Sequence, residues 1–209
     1  MFDINDIIDV RVEQVQGSSI YYIDNFFNEP EKIVDYLKNT PCPLWKGNER
    51  PSNNGVQFED RRHHIADESI TYIQTMLSEL SGDQIYPESN GKDIFSNCCF
   101  FKNSSFNDYK NNFWNPHKDG GYTAIIYLNK DSGPGTNLYE TVEPDVNKMP
   151  EHWEPWRQRS KYKVIKTIES VYNRLVLFDG KKFLHGMAIE DDRFFHEERL
   201  NVVLFLKGN

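Results

Sequence analysis

The sequence predicts an α+β domain in which two helices come first and a strand-rich half, a sandwich or barrel, follows. Two segments before residue 93 carry apolar residues at helical spacing. Five short runs after residue 94 are dense in Ile, Val, Phe and Tyr, with turn-forming clusters between them. The chain has 209 residues, 38% apolar and 14% aromatic, enough to bury a real core as one domain.

Taken in order, residues 19–27 (SIYYIDNFF) are β-branched and aromatic and read as a strand. Asn28 then caps a helix with Pro30 and Glu31 in its first turn. Ile33, Val34 and Leu37 form its stripe, and Pro41 ends it. Residues 45–60 are rich in Asn, Gly, Pro and Ser and are expected to be a long loop. A second helix starts near Asp67, with Ile70, Ile73, Leu77 and Leu80 on one face and Gly82 as its stop. Strands follow at 94–102, 122–129, 162–168, 174–178 and 199–206. The clusters at 103–105, 120–121, 131–135 and 179–180 turn the chain between them. Residues 144–161 are polar but carry Trp153 and Trp156. They are expected to be an insertion over one end of the barrel, with a short helix after Pro150. The whole chain, 1–209, thus reads as a single domain, with 1–93 as a strand and helix support region and 94–209 as the core.

Composition narrows the function. A net charge of −8 and a pI of about 5.3 disfavour a groove that tracks phosphates. The densest basic runs, Arg61-Arg62-His63-His64 and Arg157-Gln158-Arg159-Ser160-Lys161, read as solvated faces. No apolar run approaches the ~18 residues of a membrane span. The segment MFDINDIIDVRVEQ has no basic n-region, so no secretion signal is expected. Three cysteines, Cys42, Cys98 and Cys99, form no CxxC and suggest reduced thiols in a cytoplasmic protein. Cys98 and Cys99 read as small apolar residues of a strand.

The most informative stretch is Pro116-His117-Lys118-Asp119, directly before a strand. In extended chain, residues i and i+2 share a face, so His117 and Asp119 can converge on one point. They supply two ligands of a 2-His-1-carboxylate triad, which leaves coordination positions open and suits non-haem Fe(II). His185, at the end of NRLVLFDGKKFLH, is the natural third ligand. His152 in the inserted segment, His196 in a charged loop and His63-His64 in a basic loop are weaker choices. Arg199 opens the last strand, RLNVVLFL. An arginine on the inner face there is costly to bury without an anion, and its fork matches a carboxylate.

In this order of motifs the chain resembles the Fe(II)/2-oxoglutarate-dependent oxygenase superfamily, nearest to its prolyl 4-hydroxylase-like group. The resemblance covers roughly residues 94–206. It rests on HKD at 117–119, the strand ending Tyr127-Leu128-Asn129, the glycine-rich turn GPGTNLYE at 133–140, His185 in FLHG and Arg199 in ERLNVVLF. NRLVLFDG is similar to a little-characterised phage and bacterial branch, and IDNFFNEPEKIVDYL to the lead-in of these oxygenases. The resemblance implies a double-stranded β-helix, or jelly roll, with the N-terminal helices packed on one sheet. It implies Fe(II) at His117, Asp119 and His185, and the far carboxylate of 2-oxoglutarate at Arg199. Tyr127 matches a tyrosine that assists that arginine, and Tyr109 approximates one that contacts the cosubstrate. The interval from His185 to Arg199 is longer than is common in prolyl hydroxylases, which keeps Arg193 as a competing choice.

The expected activity is hydroxylation of an organic substrate with O2 and 2-oxoglutarate, releasing succinate and CO2. A peptide or protein side chain and a small metabolite are the leading substrate classes; nucleobase demethylation comes third. Two other readings stay open. One is a cupin-like metalloenzyme that does not use 2-oxoglutarate, and the other a catalytically silent jelly-roll binding module. Trp114, Trp153 and Trp156 are open between a hydrophobic substrate entrance and ordinary packing.

Overall fold

The computed structural model describes residues 2–6, 9–39, 58–64, 67–87, 94–101, 109–142 and 156–208. Strands β1 (Val10–Val15) and β2 (Ser18–Ile23) form a hairpin closed by Gln16 and Gly17. Both turn residues have positive φ (48° and 75°), the backbone a two-residue hairpin turn requires. Helix α1 (Pro30–Asn39) follows, then β3 (Phe58–His64), α2 (Asp67–Ser81), β4 (Ile85–Pro87) and β5 (Ile94–Phe101). Then come β6 (Asn112–Trp114), β7 (Tyr122–Tyr127), β8 (Gly133–Thr141), β9 (Trp156–Gln158) and β10 (Tyr162–Ser170). The chain ends with β11 (Arg174–Asp179), β12 (Leu184–Met187), the one-turn helix α3 (Arg193–His196) and β13 (Arg199–Gly208).

The strands form a large antiparallel sheet in the order β1-β2-β11-β7-β13-β5-β3, with β4 paired to the end of β13. A smaller antiparallel sheet runs β10-β8-β12, and β6 pairs with β9. Alternation along β13 shows how the layers are built. Leu200, Val202, Leu204 and Leu206 pack against Ile33 and Leu37 of α1 and Ile73 and Leu77 of α2. Each such side chain contributes about 1.5–3 kcal/mol relative to exposure, which fixes both helices to that face. On the other face, Val203 joins Ile125 and Tyr127 of β7 and Val176 and Phe178 of β11. These pack against Leu138 of β8 and Ile168 of β10, so the two sheets close on each other as a sandwich.

Both helices match their expected spans, and Gly82, at φ 73°, ends α2 with its N–H donating to the Ser78 carbonyl. Several expectations are corrected. The end of the expected 45–60 loop, and the run Arg61-Arg62-His63-His64, form strand β3 at the sheet edge; the remainder of that loop lies outside the described residues. The glycine-rich segment GPGTNLYE is not a turn but strand β8, the centre of the small sheet. Its Gly135 is required by close approach: a Cβ there would sit 2.9 Å from the Tyr127 ring and the Ser170 N. Residues 156–158 of the expected insertion are a strand paired with β6, and the proposed helix after Pro150, with Trp153 and His152, lies outside the described residues. Cys42 and the Cys98 and Cys99 side chains also lie outside them.

Candidate metal centre

His117 and Asp119 arrive on an irregular segment just before β7, and His185 stands in β12, the edge of the small sheet. Asn115 adopts a left-handed backbone (φ 42°), which asparagine tolerates, and turns the chain towards β12. There His117 and His185 form an isolated antiparallel bridge. Their backbones exchange both hydrogen bonds, His117 N to His185 O at 2.9 Å and His185 N to His117 O at 2.8 Å. Asp119 N donates to the Gly180 carbonyl at 3.0 Å, which anchors the third residue to the turn before β12. Gly180 is packed so closely that a Cβ would meet the Asp119 Cβ at 2.8 Å and the Thr123 Oγ1 at 2.6 Å.

The side chains converge. His117 Nε2 lies 3.4 Å from Asp119 Oδ1, and His185 Nε2 lies 3.1 Å from Asp119 Oδ2. One ligand atom from each of the three lies within 4.8 Å of the others. Two ligand atoms each about 2.1 Å from a common ion, at right angles, stand about 3 Å apart, so the observed separations suit a shared cation. Nδ1 of His117 is 2.7 Å from the Asn115 carbonyl, and Nδ1 of His185 is 3.1 Å from the Phe183 carbonyl. A carbonyl only accepts, so both Nδ1 atoms carry a proton and both Nε2 atoms face inward, where the neutral ring would offer its Nε2 lone pair to a metal. Thr123 Oγ1 donates to Asp119 Oδ2, and Phe178 meets the His185 ring edge-on at 4.9 Å. The His185 side chain is 5% exposed and His117 27%, so the cluster is walled on one side and open on the other.

The Asp119 carboxylate favours a second proton on His117, at Nε2, which a bound metal would displace. Burial opposes charge on Asp119, but the two facing histidines, His117 first, outweigh it and hold the carboxyl far below its ordinary range. Burial also disfavours charge on His117; the hydrogen bond and charge of Asp119 overcome it and raise its pKa. Burial and the neighbouring His117 depress His185, which favours a neutral imidazole.

Arg199 opens β13 on the same strand face as Asn201 and Val203, towards the sandwich interior. Its Nη1 donates to Asn201 Oδ1 at 3.1 Å and its Nη2 to the Gly135 carbonyl at 3.3 Å. The guanidinium lies 5.9 Å from the Tyr127 ring centre. Tyr127 is buried, with its hydroxyl 2.7 Å from Thr136 Oγ1. Tyr109 packs against a cluster of Trp114, Trp156, Ile189 and Phe194. Trp114 and Trp156 meet edge-to-face at 4.9 Å and are 9% exposed, so among the described residues they are packing and not an open entrance. Arg193, on α3, is ion-paired to Glu197 at 3.2 Å and stacks on Phe194. His196 is exposed on α3, 3.6 Å from Asp192. The structure therefore joins His117, Asp119 and His185 in one cluster, and Arg199 with Tyr127 in another neighbourhood.

Sequence reasoning missed Thr123, Asn201 and Thr136. The first two carried a signal: Thr123 lies four residues after Asp119 on the following strand, and Asn201 shares a strand face with Arg199. Asn201 is buried, and its Nδ2 has no hydrogen-bond partner among the described residues.

No family model matches the chain, and no curated protein matches it. Among solved structures it is similar to the crystal structure of an oxidoreductase of the 2OG-Fe(II) oxygenase family from Burkholderia pseudomallei. The TM-score is 0.44 at 11% identity, over 90% of this chain and 84% of that one. At that level the likeness carries no weight, and the side-chain geometry stands by itself.

Proposed function

We propose that the chain is a non-haem Fe(II)- and 2-oxoglutarate-dependent dioxygenase that hydroxylates an organic substrate. The observation that carries this reading is the convergence of two inward-facing Nε2 atoms and one carboxylate at the open edge of a two-sheet sandwich. In the same reading the sandwich is a jelly roll of the prolyl 4-hydroxylase-like type, near the phage and bacterial branch, and residues 1–209 act as one cytoplasmic oxygenase domain. Residues 1–93 support the 94–209 core.

The residues present fit both groups. Two imidazoles, with the Nε2 proton of His117 displaced on binding, and a carboxylate are the donor set of a facial triad, and the Nδ1 hydrogen bonds to backbone carbonyls supply the orientation such ligands need. The amide N–H2 of Asn201, without a partner among the described residues and beside the Arg199 guanidinium, suits an added carboxylate that would accept from both. When bound, the iron and 2-oxoglutarate supply oxidation of a substrate C–H by O2, with the cosubstrate leaving as succinate and CO2. His117, Asp119 and His185 hold the metal. Thr123 fixes the Asp119 carboxylate, and the Gly180 carbonyl fixes its backbone. Arg199 anchors the far carboxylate, with the Tyr127 ring beneath it and the Gly135 carbonyl orienting its fork. Arg193 pairs with Glu197 along α3, whereas Arg199 stands beside the Asn201 amide on the inner strand face, which favours Arg199 for this role. No side-chain acid or base is called for, so the protein's part is orientation and exclusion of side reactions.

The experiment is succinate formation by purified protein supplied with Fe(II), 2-oxoglutarate and O2. Wild type should form succinate, stimulated by the right substrate in a screen of peptides, small metabolites and methylated nucleobases. His117→Ala and Arg199→Ala should lose it. Activity on a substrate without 2-oxoglutarate, untouched in Arg199→Ala, would favour the cupin-like enzyme. Metal-loaded protein that neither binds nor consumes 2-oxoglutarate would overturn the proposal.

A further inference from the structure

We infer that Asn129 is a positioning residue that sets the place of the Arg199 guanidinium by bracketing it along the backbone. The inference rests on the reading of Arg199 as the carboxylate anchor. The regular pairing of β7 with β13 stops at Tyr127 opposite Asn201. One further backbone bond, Leu128 N to Leu200 O at 2.9 Å, continues it. Past that point the side chain of Asn129 takes over the ladder. Its Oδ1 accepts from Leu200 N at 2.8 Å, and its Nδ2 donates to the Glu198 carbonyl at 2.8 Å.

A carboxamide has the same donor and acceptor as a peptide group, so Asn129 acts as a surrogate strand residue spanning positions 198 and 200. Arg199 lies between them. On its other side it stands in register with Cys99 of β5. The strand that presents the guanidinium is thus held from both flanks at the very residue where it begins. Without this bracket, the ten-residue strand would start at a frayed end, where the last bonds are the least stable.

The role is separable from metal binding, because Asn129 touches neither His117, Asp119 nor His185 in any described hydrogen bond. The test uses the full chain loaded with metal and two variants, Asn129→Ala and Asn129→Asp. The aspartate keeps the acceptor for Leu200 N and loses the donor to the Glu198 carbonyl. The dissociation constant for 2-oxoglutarate should rise about tenfold in Asn129→Ala and less in Asn129→Asp. Metal affinity, and succinate formed at saturating 2-oxoglutarate, should stay at wild-type values. A second readout needs no ligand: the Arg199 side-chain NMR signal, assigned with Arg199→Lys, should broaden or shift in Asn129→Ala. Unchanged 2-oxoglutarate affinity with an unmoved Arg199 signal would overturn the inference. So would losses of metal and 2-oxoglutarate affinity in equal measure, the mark of general unfolding. If wild type binds no 2-oxoglutarate, the cosubstrate reading fails, and the Arg199 signal alone decides whether Asn129 positions that side chain.

Discussion

His117 and His185 exchange both of their backbone hydrogen bonds, at 2.9 and 2.8 Å, and their rings lie 4.4 Å apart, centre to centre. The two histidines are thus brought together by the main chain itself, as a one-residue extension of the small sheet. Their side chains emerge on a common side because bridged residues in an antiparallel pair share a face. Metal affinity should therefore respond to the backbone packing as well as to the ligands.

Gly186 offers a way to test that link. A Cβ there would lie 2.3 Å from the Trp114 carbonyl oxygen, a backbone atom that cannot rotate away. Gly186→Ala should push the segment before His117 off β12, lower stability by about 1–3 kcal/mol and weaken metal binding at least about tenfold. Denaturant unfolding and titration with Co(II) read the two effects. Wild-type metal affinity in a folded Gly186→Ala protein would contradict the link.

The proposed role of Arg199 as carboxylate anchor makes a different prediction. Asn201 accepts from Arg199 through Oδ1 and leaves Nδ2 buried without a partner among the described residues. Asn201→Leu should weaken 2-oxoglutarate binding by about 1–3 kcal/mol, since the buried polar contact is lost, while leaving metal affinity unchanged. Isothermal titration with each ligand checks the split.

Asn173 carries a stability prediction. It is buried in a left-handed conformation (φ 59°), and its side chain pairs both ways with Phe27, donating to the carbonyl at 2.8 Å and accepting from the N–H at 2.9 Å. Its own N–H donates to the Tyr127 carbonyl at 2.7 Å. Asn173→Ala strands two buried backbone groups of Phe27 and strains the turn, so it should cost about 2–4 kcal/mol in chemical denaturation. Asn173→Gly should relieve only the backbone strain and remain less stable than wild type.

Acid stability follows from two ion pairs. A hydrogen bond from Arg174 holds the Asp24 carboxyl below its ordinary range, and one from Lys166 does the same for Glu13. A carboxyl whose folded pKa is depressed adds stability above its unfolded pKa, about 3.9 for Asp and 4.3 for Glu, and loses it as pH falls through the folded value. The melting temperature should hold from neutral pH to about pH 5 and fall below about pH 4. In an Asp24→Asn, Glu13→Gln double variant the acid slope should be shallower; an identical slope would show that other groups govern it.

Part of the fold was legible in the sequence for a physical reason. Ile33 with Leu37, and Ile73 with Leu77, repeat at helical spacing because each helix buries one stripe, and both are found buried. Strand β8 was not legible. Its Gly135 marks close approach to Tyr127 and Ser170 in the folded state, yet the glycine pair locally reads as a turn. Strand β3 was hidden in the same way, because edge strands tolerate the charged residues that suggest a loop. At the site, the i, i+2 spacing of His117 and Asp119 was visible, and His185 stood out by its position after an Asp-Gly turn. The part played by Asn129 was not, since its value lies in partners from another strand that no local pattern records.

The most direct measurement is anomalous diffraction from crystals of the full chain grown with Mn(II) in place of the air-sensitive ferrous ion. The expected result is one strong peak about 2.0–2.3 Å from Nε2 of His117, Nε2 of His185 and a carboxylate oxygen of Asp119. A peak bound elsewhere, or none at these three side chains under saturating metal, would contradict a shared metal centre.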